Sequence, residues 1–191
     1  MEFSEVVRRR RMVRSFDGRP VPRETVEQVL RDGQRGPSAG FSQGQAFVVL
    51  EDAADRDRFW ARVPASEGVR RAPVVVVVLT SKQAYLQRYA LPDKYGAGLD
   101  VETGWPVPYW DVDTGMAVML LLLSAVDAGL GALFFGIFRG ADELLAELGV
   151  PPEYHAVGAV AMGFPAPGEQ SQPSLKAGRK PAEDVVRWGH W

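Results

Sequence analysis

The sequence predicts an α+β domain: a mixed central sheet flanked by helices on both faces, ending in an extended C-terminal arm. Three observations carry this. The run PVVVVVLT, residues 73–80, is apolar without alternation, as a central strand covered on both faces requires. Segments of helical and strand character follow one another with no internal repeat and no second composition regime, so residues 1–191 read as one domain. The stretch from Pro165 to Pro181 is rich in Pro, Gly, Ser and Gln, and it opens an arm, residues 165–191, that runs extended over a surface.

The elements follow in order. Residues 4–12 read as a short basic helix. PRETVEQVLRDG begins at Pro22, places Val26, Val29 and Leu30 at helical spacing, and is stopped by Gly33 and Gly36. GPSAGFSQGQ, residues 36–45, is a Ser- and Gly-rich turn leading into the short strand AFVVL, residues 46–50. DAADRDRFWARV is a surface helix with acids in its first turn and Phe59 and Val63 on one face. Residues 90–111 are rich in proline, glycine and aromatic residues, without a period, and are expected to form a long active-site loop. An all-round apolar helix from about Val112 to Asp127 comes next. Strand ALFFGIF, helix ADELLAEL and strand AVGAVAMGF complete the domain.

Residues 115–138 are also the one membrane candidate. Asp127 near the centre would cost roughly 2.5–3.5 kcal/mol in a bilayer, and Gly129 and Gly131 break the helix just after it, so a buried core helix followed by a turn and a strand is preferred. The N-terminal arginines are not followed by an apolar signal region. With no cysteine there is no disulfide, thiolate metal site or cysteine nucleophile, and a cytoplasmic location is expected. The net charge of -2 gives the whole molecule no preference for nucleic acid or an anionic membrane, so any anion site must be local.

Gly36, Ser38 and Gly40 spell a literal G-x-S-x-G. A nucleophile elbow needs its serine on a turn from strand to helix, and here the order is helix, turn, strand. His155 and His190 lie downstream with no fixed partner visible. A hydrolase is therefore disfavoured, and a turn without chemistry stays open. The sequence offers no zinc-ligand spacing and no evident catalytic dyad.

Seven of the 22 basic residues fall in the first 23 positions: Arg8, Arg9, Arg10, Arg11, Arg14, Arg19 and Arg23. Such a cluster repels itself unless an anion neutralises it, and guanidinium groups bind phosphate bidentately. If residues 4–12 are helical, Arg10 and Arg14, four apart, lie near one face or just past the helix end, with Arg11 flanking them. A solvated basic helix is the alternative. No G-x-x-x-x-G-K-[ST] is present, and GLGALFFG spaces its glycines wrongly for G-x-G-x-x-G, which leaves a phosphate held by side chains.

Taken together, RRRRMVRSFDGRPVPRETVEQVL, GPSAGFSQGQAFVVL, GLGALFFG and the terminal GRKPAEDVVRWGHW resemble the FMN-dependent nitroreductase family, in order and from about Val6 to the C-terminus. The resemblance implies a nitroreductase-like fold and a homodimer with two FMN sites at the interface. It implies that Arg10 and Arg11 hold the FMN phosphate and that Arg14 sits by the N1/O2 edge of the ring. Met12 stands where Ser or Thr is usual, so backbone would have to replace a hydroxyl contact. Pro37, Ser38 and Ala39 would lie against the flavin from the partner subunit. Gln43 matches a family Gln, whereas Phe41 replaces the usual Asn. Gly129 and Gly131 match the glycine turn, and Phe135 and Gly136 would present amides to the N5/O4 edge, although several members carry Glu where Phe135 stands. Arg179 would add a phosphate contact.

With FMN bound and NAD(P)H as reductant, hydride chemistry belongs to the cofactor and no protein residue is assigned as catalytic and none as a metal ligand. Trp105, Tyr109 and Trp110 are candidates for a substrate lid, with Phe41 opposite, suited to flat aromatic, quinone-like or nitro acceptors. Packing of these rings within the loop or at the dimer interface is the alternative. A dehydrogenase of a specialised metabolite, a flavin-binding protein without turnover and a non-flavin phosphate-ligand domain also remain open. Independently of the resemblance, an all-round apolar helix and an extended tail suit a dimer core with an exchanged arm.

Overall fold

The computed structural model describes residues 1–169 and 178–191. Its helices are α1 (Phe3–Arg9), α2 (Arg23–Gly33), α3 (Ala53–Arg62), α4 (Glu67–Arg70), α5 (Lys82–Tyr89), α6 (Tyr109–Asp127), α7 (Ala141–Glu147) and α8 (Ala182–Val185). Its strands are β1 (Gln45–Leu50), β2 (Val74–Thr80), β3 (Gly131–Phe135) and β4 (His155–Gly163).

The four strands form one sheet in the order β1-β2-β4-β3, and every pair within it is antiparallel. The parallel component of the expected mixed sheet is confined to one bridge, between Met12 and Ala132. β2 is buried along its whole length, as its unbroken apolar run requires. The pleat sends Val75, Val77 and Leu79 to one face, where they meet Phe59 and Trp60 of α3, Val69 of α4 and Leu144 of α7. Val74, Val76 and Val78 go to the other face, against Val26 and Val29 of α2 and Val118, Leu121 and Ala125 of α6. Each buried Val, Leu or Phe contributes roughly 1.5–3 kcal/mol by leaving water, and these two layers sandwich the sheet. Close crossing of α2 and α6 depends on Gly33, where an added Cβ would lie 2.5 Å from Leu121 Cδ2.

Several boundaries differ from the sequence reading. The basic helix ends at Arg9, not residue 12, because Arg10 turns to ψ 118° and the chain is drawn out to pair with β3. Of the two placements expected for Arg10 and Arg14, the one just past the helix end holds, and they share no helix face. α6 begins at Tyr109, so the long loop is shorter than residues 90–111 and is itself punctuated by single 3₁₀ turns at Pro92–Lys94 and Glu102–Gly104. α4 and α5 were not legible; α5 is started by Ser81, whose hydroxyl accepts the Ala84 amide at 3.2 Å. β3 stops at Phe135 rather than running to Phe138.

α6 is long and apolar enough to cross a membrane, yet one side of it packs on the sheet and α2. It is not buried all round: Val112, Met116 and Met119 are 40–46% exposed and form a stripe along its outer side. The chain leaves β4 by pairing Pro165 with Phe16. Part of the expected arm, residues 170–177, lies outside the described residues, and residues 178–191 are exposed.

Candidate active site

After α1 the arginine segment is strapped to β3. The Val13 amide donates to the Ala132 carbonyl at 3.0 Å, Val13 and Phe16 are buried, and Arg10, Arg11, Met12 and Arg14 stay half-buried. The close approach needs Gly131, where a Cβ would fall 2.7 Å from Val13 Cγ2. The parallel direction of the bridge sends Arg10 toward the Gly129 turn and Arg14 toward the end of β3 that leads to Gly136. Beside the strap lies an open cleft of about 310 Å³, lined by Arg9, Arg11, Val13, Gly129, Gly131 and Pro165.

The charges in this region are not equivalent. Arg9 pairs with Glu5 at 2.7 Å. Arg11 pairs with the buried carboxylate of Glu169, which also accepts the Arg14 amide at 3.1 Å. The Arg14 guanidinium donates to the Met12 carbonyl at 3.4 Å, and among the described residues it has no other side-chain hydrogen bond and no carboxylate pairs with it or with Arg10. Two guanidinium groups without a counter-charge among the described residues, on a strap whose Arg9 and Arg11 line a glycine-walled cleft, fit a phosphate or another anion. Arg179 is exposed on the far side of the undescribed residues and makes no described ion pair.

The turn carrying Ser38 is built from below by α6. Gly36 lets it approach so closely that a Cβ there would sit 3.1 Å from the Ala117 Cα. Asp113 of α6 is buried, and its Oδ2 accepts both the Ala39 amide at 2.8 Å and the Tyr85 hydroxyl at 2.9 Å. Burial, reinforced by the hydrogen bond to Asp113, pushes the Tyr85 phenol well above its ordinary pKa. From the side, Arg88 of α5 donates to the Gly40 carbonyl at 2.8 Å and grips Asp93 with its two terminal nitrogens.

Ser38 Oγ accepts the Gln43 amide at 3.0 Å, so the hydroxyl closes the turn and has no histidine partner. Pro37 and Gln43 are exposed and Ser38 and Ala39 half-buried. Three residues here adopt left-handed backbone: Gly40, Phe41 at φ 57° and Gln43 at φ 51°. Two non-glycine residues in that region mark a turn whose shape is imposed by its surroundings. Phe41 projects its ring into solvent, 74% exposed.

The loop aromatics divide. Trp110 is buried, and Trp105 is half-buried, packing against Tyr85, Tyr89, Tyr109 and Trp110 while its indole donates to the Leu99 carbonyl at 2.8 Å. Trp110 belongs to the first turn of α6 and faces the interior, so the structure gives it a packing place and not an open lid position. Tyr109 and Phe41 are the two expected substrate contacts that remain exposed. At the end of β3, Phe135 stacks on Trp60 with ring centroids 6.0 Å apart, and Gly136 follows, where an added Cβ would fall 2.8 Å from the exposed Phe138 ring.

Sequence reasoning missed Asp113, Tyr85, Arg88 and Glu169. An aspartate inside the otherwise apolar helix was the available signal for Asp113. Glu169 offered none, because its partner Arg11 is 158 residues away.

The nitroreductase family model matches residues 7–164. A Bacillus subtilis FMN reductase [NAD(P)H] is 25% identical over 86% of this chain and 66% of its own length. A Thermus thermophilus NADH dehydrogenase is 29% identical over 94% of this chain and 92% of its own. A Desulfovibrio desulfuricans protein solved in complex with FMN superposes with a TM-score of 0.75 at 25% identity, over 100% of this chain and 98% of that one. The match spans the strap, the Ser38 turn, α6 and the whole sheet, and this chain is a member of the nitroreductase family.

Proposed function

We propose that the chain is an FMN-dependent NAD(P)H oxidoreductase acting on a flat aromatic, quinone-like or nitro acceptor. The observation that carries this reading is the strap along β3, where among the described residues neither Arg10 nor Arg14 meets a carboxylate and where Arg9 and Arg11 line a glycine-walled cleft. The names of the Bacillus subtilis and Thermus thermophilus relatives and the FMN complex of the Desulfovibrio desulfuricans protein support it.

When bound, FMN would supply the redox chemistry between NAD(P)H and the acceptor. The chain's residues bind and orient. Arg10 holds the phosphate, with Arg179 as a further contact from the arm. Arg14 would place a fixed cation at the electron-rich edge of the ring and favour its reduction. With no hydroxyl at position 12, the backbone of Met12 and Val13 lines the cofactor chain. Gly131 allows the close strap, and the amides of Phe135 and Gly136 meet the opposite ring edge. No protein nucleophile or metal ion is assigned.

The chain acts as a homodimer located in the cytoplasm. The exposed stripe of Val112, Met116 and Met119 on α6 is the face offered to a second copy. Pro37, Ser38, Ala39 and Gln43 then reach the partner's cofactor, held at the right height by Asp113. Phe41 and Tyr109 flank the acceptor.

Purified protein is denatured and the released chromophore identified by absorbance and mass, and the native sample is mixed anaerobically with NADPH or NADH. Released FMN and rapid bleaching are expected. FMN without bleaching by either nucleotide points to a binding protein without turnover or to another reductant, and no retained FMN even after its addition overturns the reading.

A further inference from the structure

We propose that Glu169 sets the affinity for the phosphate group of the cofactor by acting as an internal anion that withholds Arg11. This rests on the FMN-binding reading above.

After β4 the chain folds back along the strap. The Asp17 amide donates to the Phe164 carbonyl at 3.0 Å, the Ala166 amide to the Ser15 carbonyl at 2.9 Å, and the Glu169 amide to the Ala166 carbonyl at 3.1 Å. This turn delivers the Glu169 side chain, only 4% exposed, to the arginine segment. One carboxylate oxygen takes the Arg11 guanidinium and the other the Arg14 backbone amide. A buried carboxylate persists only where such donors compensate it. A guanidinium joined to a backbone amide is also the donor set that an oxyanion of a phosphate would use. Glu169 therefore fills the seat that the family resemblance assigns to the ligand, and Arg11, which lines the 310 Å³ cleft, is committed to the protein's own anion. Arg10 and Arg14 are left to the cofactor.

Replacing the carboxylate by an amide keeps the shape and a hydrogen-bond acceptor for Arg14 while releasing the Arg11 charge. FMN and riboflavin, which lacks the phosphate, are titrated into flavin-free full-length protein by fluorescence quenching. Glu169→Gln is expected to bind FMN about tenfold more tightly than the natural protein, the worth of one partly solvated charged contact. Riboflavin affinity stays the same, and adding Arg11→Ala to Glu169→Gln removes the gain. Equal or weaker FMN binding by a Glu169→Gln protein that unfolds at the natural temperature overturns the proposal, as does equal tightening toward riboflavin. If Glu169→Gln does not fold, Glu169→Ala and Arg11→Lys are measured in the same way; the first must tighten FMN selectively and the second must not. Failure of the natural protein to bind FMN at all defeats the FMN reading itself and is seen before any variant is compared.

Discussion

Tyr85 and the Ala39 amide meet at a single atom: both donate to Oδ2 of Asp113, at 2.9 and 2.8 Å. Through that oxygen, helix α6 fixes the height of the turn that contains Ser38, and α5 is locked to both. Asp113→Ala leaves two donors without their acceptor, and the expected loss is about 2–5 kcal/mol of unfolding free energy. Asp113→Asn keeps one acceptor oxygen and should lose less. Denaturant melts of the two variants check the order, and FMN titration checks that displacement of the turn weakens cofactor binding.

The same pair predicts a pH dependence. Burial and the bond to Asp113 raise the Tyr85 phenol above its value of about 10 in the unfolded chain. The folded state therefore holds that proton more tightly. Stability from this group is fully present below about pH 10 and is lost as pH rises beyond it. Tyr85→Phe has no such proton, so its stability relative to the natural protein should improve between pH 8 and 11. Urea melts at both pH values measure the difference, and an unchanged difference would contradict the assignment.

Phe41 combines a left-handed backbone with a ring 74% exposed. Its side chain gains little from burial, while a non-glycine residue in that region costs roughly 1–2 kcal/mol. Asparagine adopts the conformation more readily. Phe41→Asn is expected to raise unfolding free energy by about 0.5–1 kcal/mol and, because the ring is lost, to raise KM for quinone acceptors. Thermal melts and steady-state kinetics read the two effects separately.

What was legible in the sequence was what local pattern determines. Val74 to Thr80 declared a doubly covered strand because no polar residue interrupts them, and Val26 with Val29 declared the buried side of α2. α5 escaped because only Tyr85 of its eight residues is buried, leaving no period to read. The basic helix ends at Arg9 and not at residue 12 because a bridge to Ala132, set by the tertiary fold, draws the chain out. The same bridge brings the arginines to β3, and no local pattern encodes it. Trp110 falls in the stretch read as loop because residues 90–111 are rich in proline, glycine and aromatic residues without a period, whereas Pro108 is the N-cap of α6. The Arg11–Glu169 pair joins residues at opposite ends of the domain, beyond the reach of any periodicity.

The central claim is that the strap along β3 holds FMN through Arg10 and Arg14. The most direct measurement is an FMN titration of the natural protein, Arg10→Ala and Arg14→Ala, followed by flavin fluorescence, with melts confirming that all three fold. Each substitution removes a charged contact, and affinity should fall roughly 10–100-fold in each. Folded variants that bind FMN as tightly as the natural protein would contradict the site.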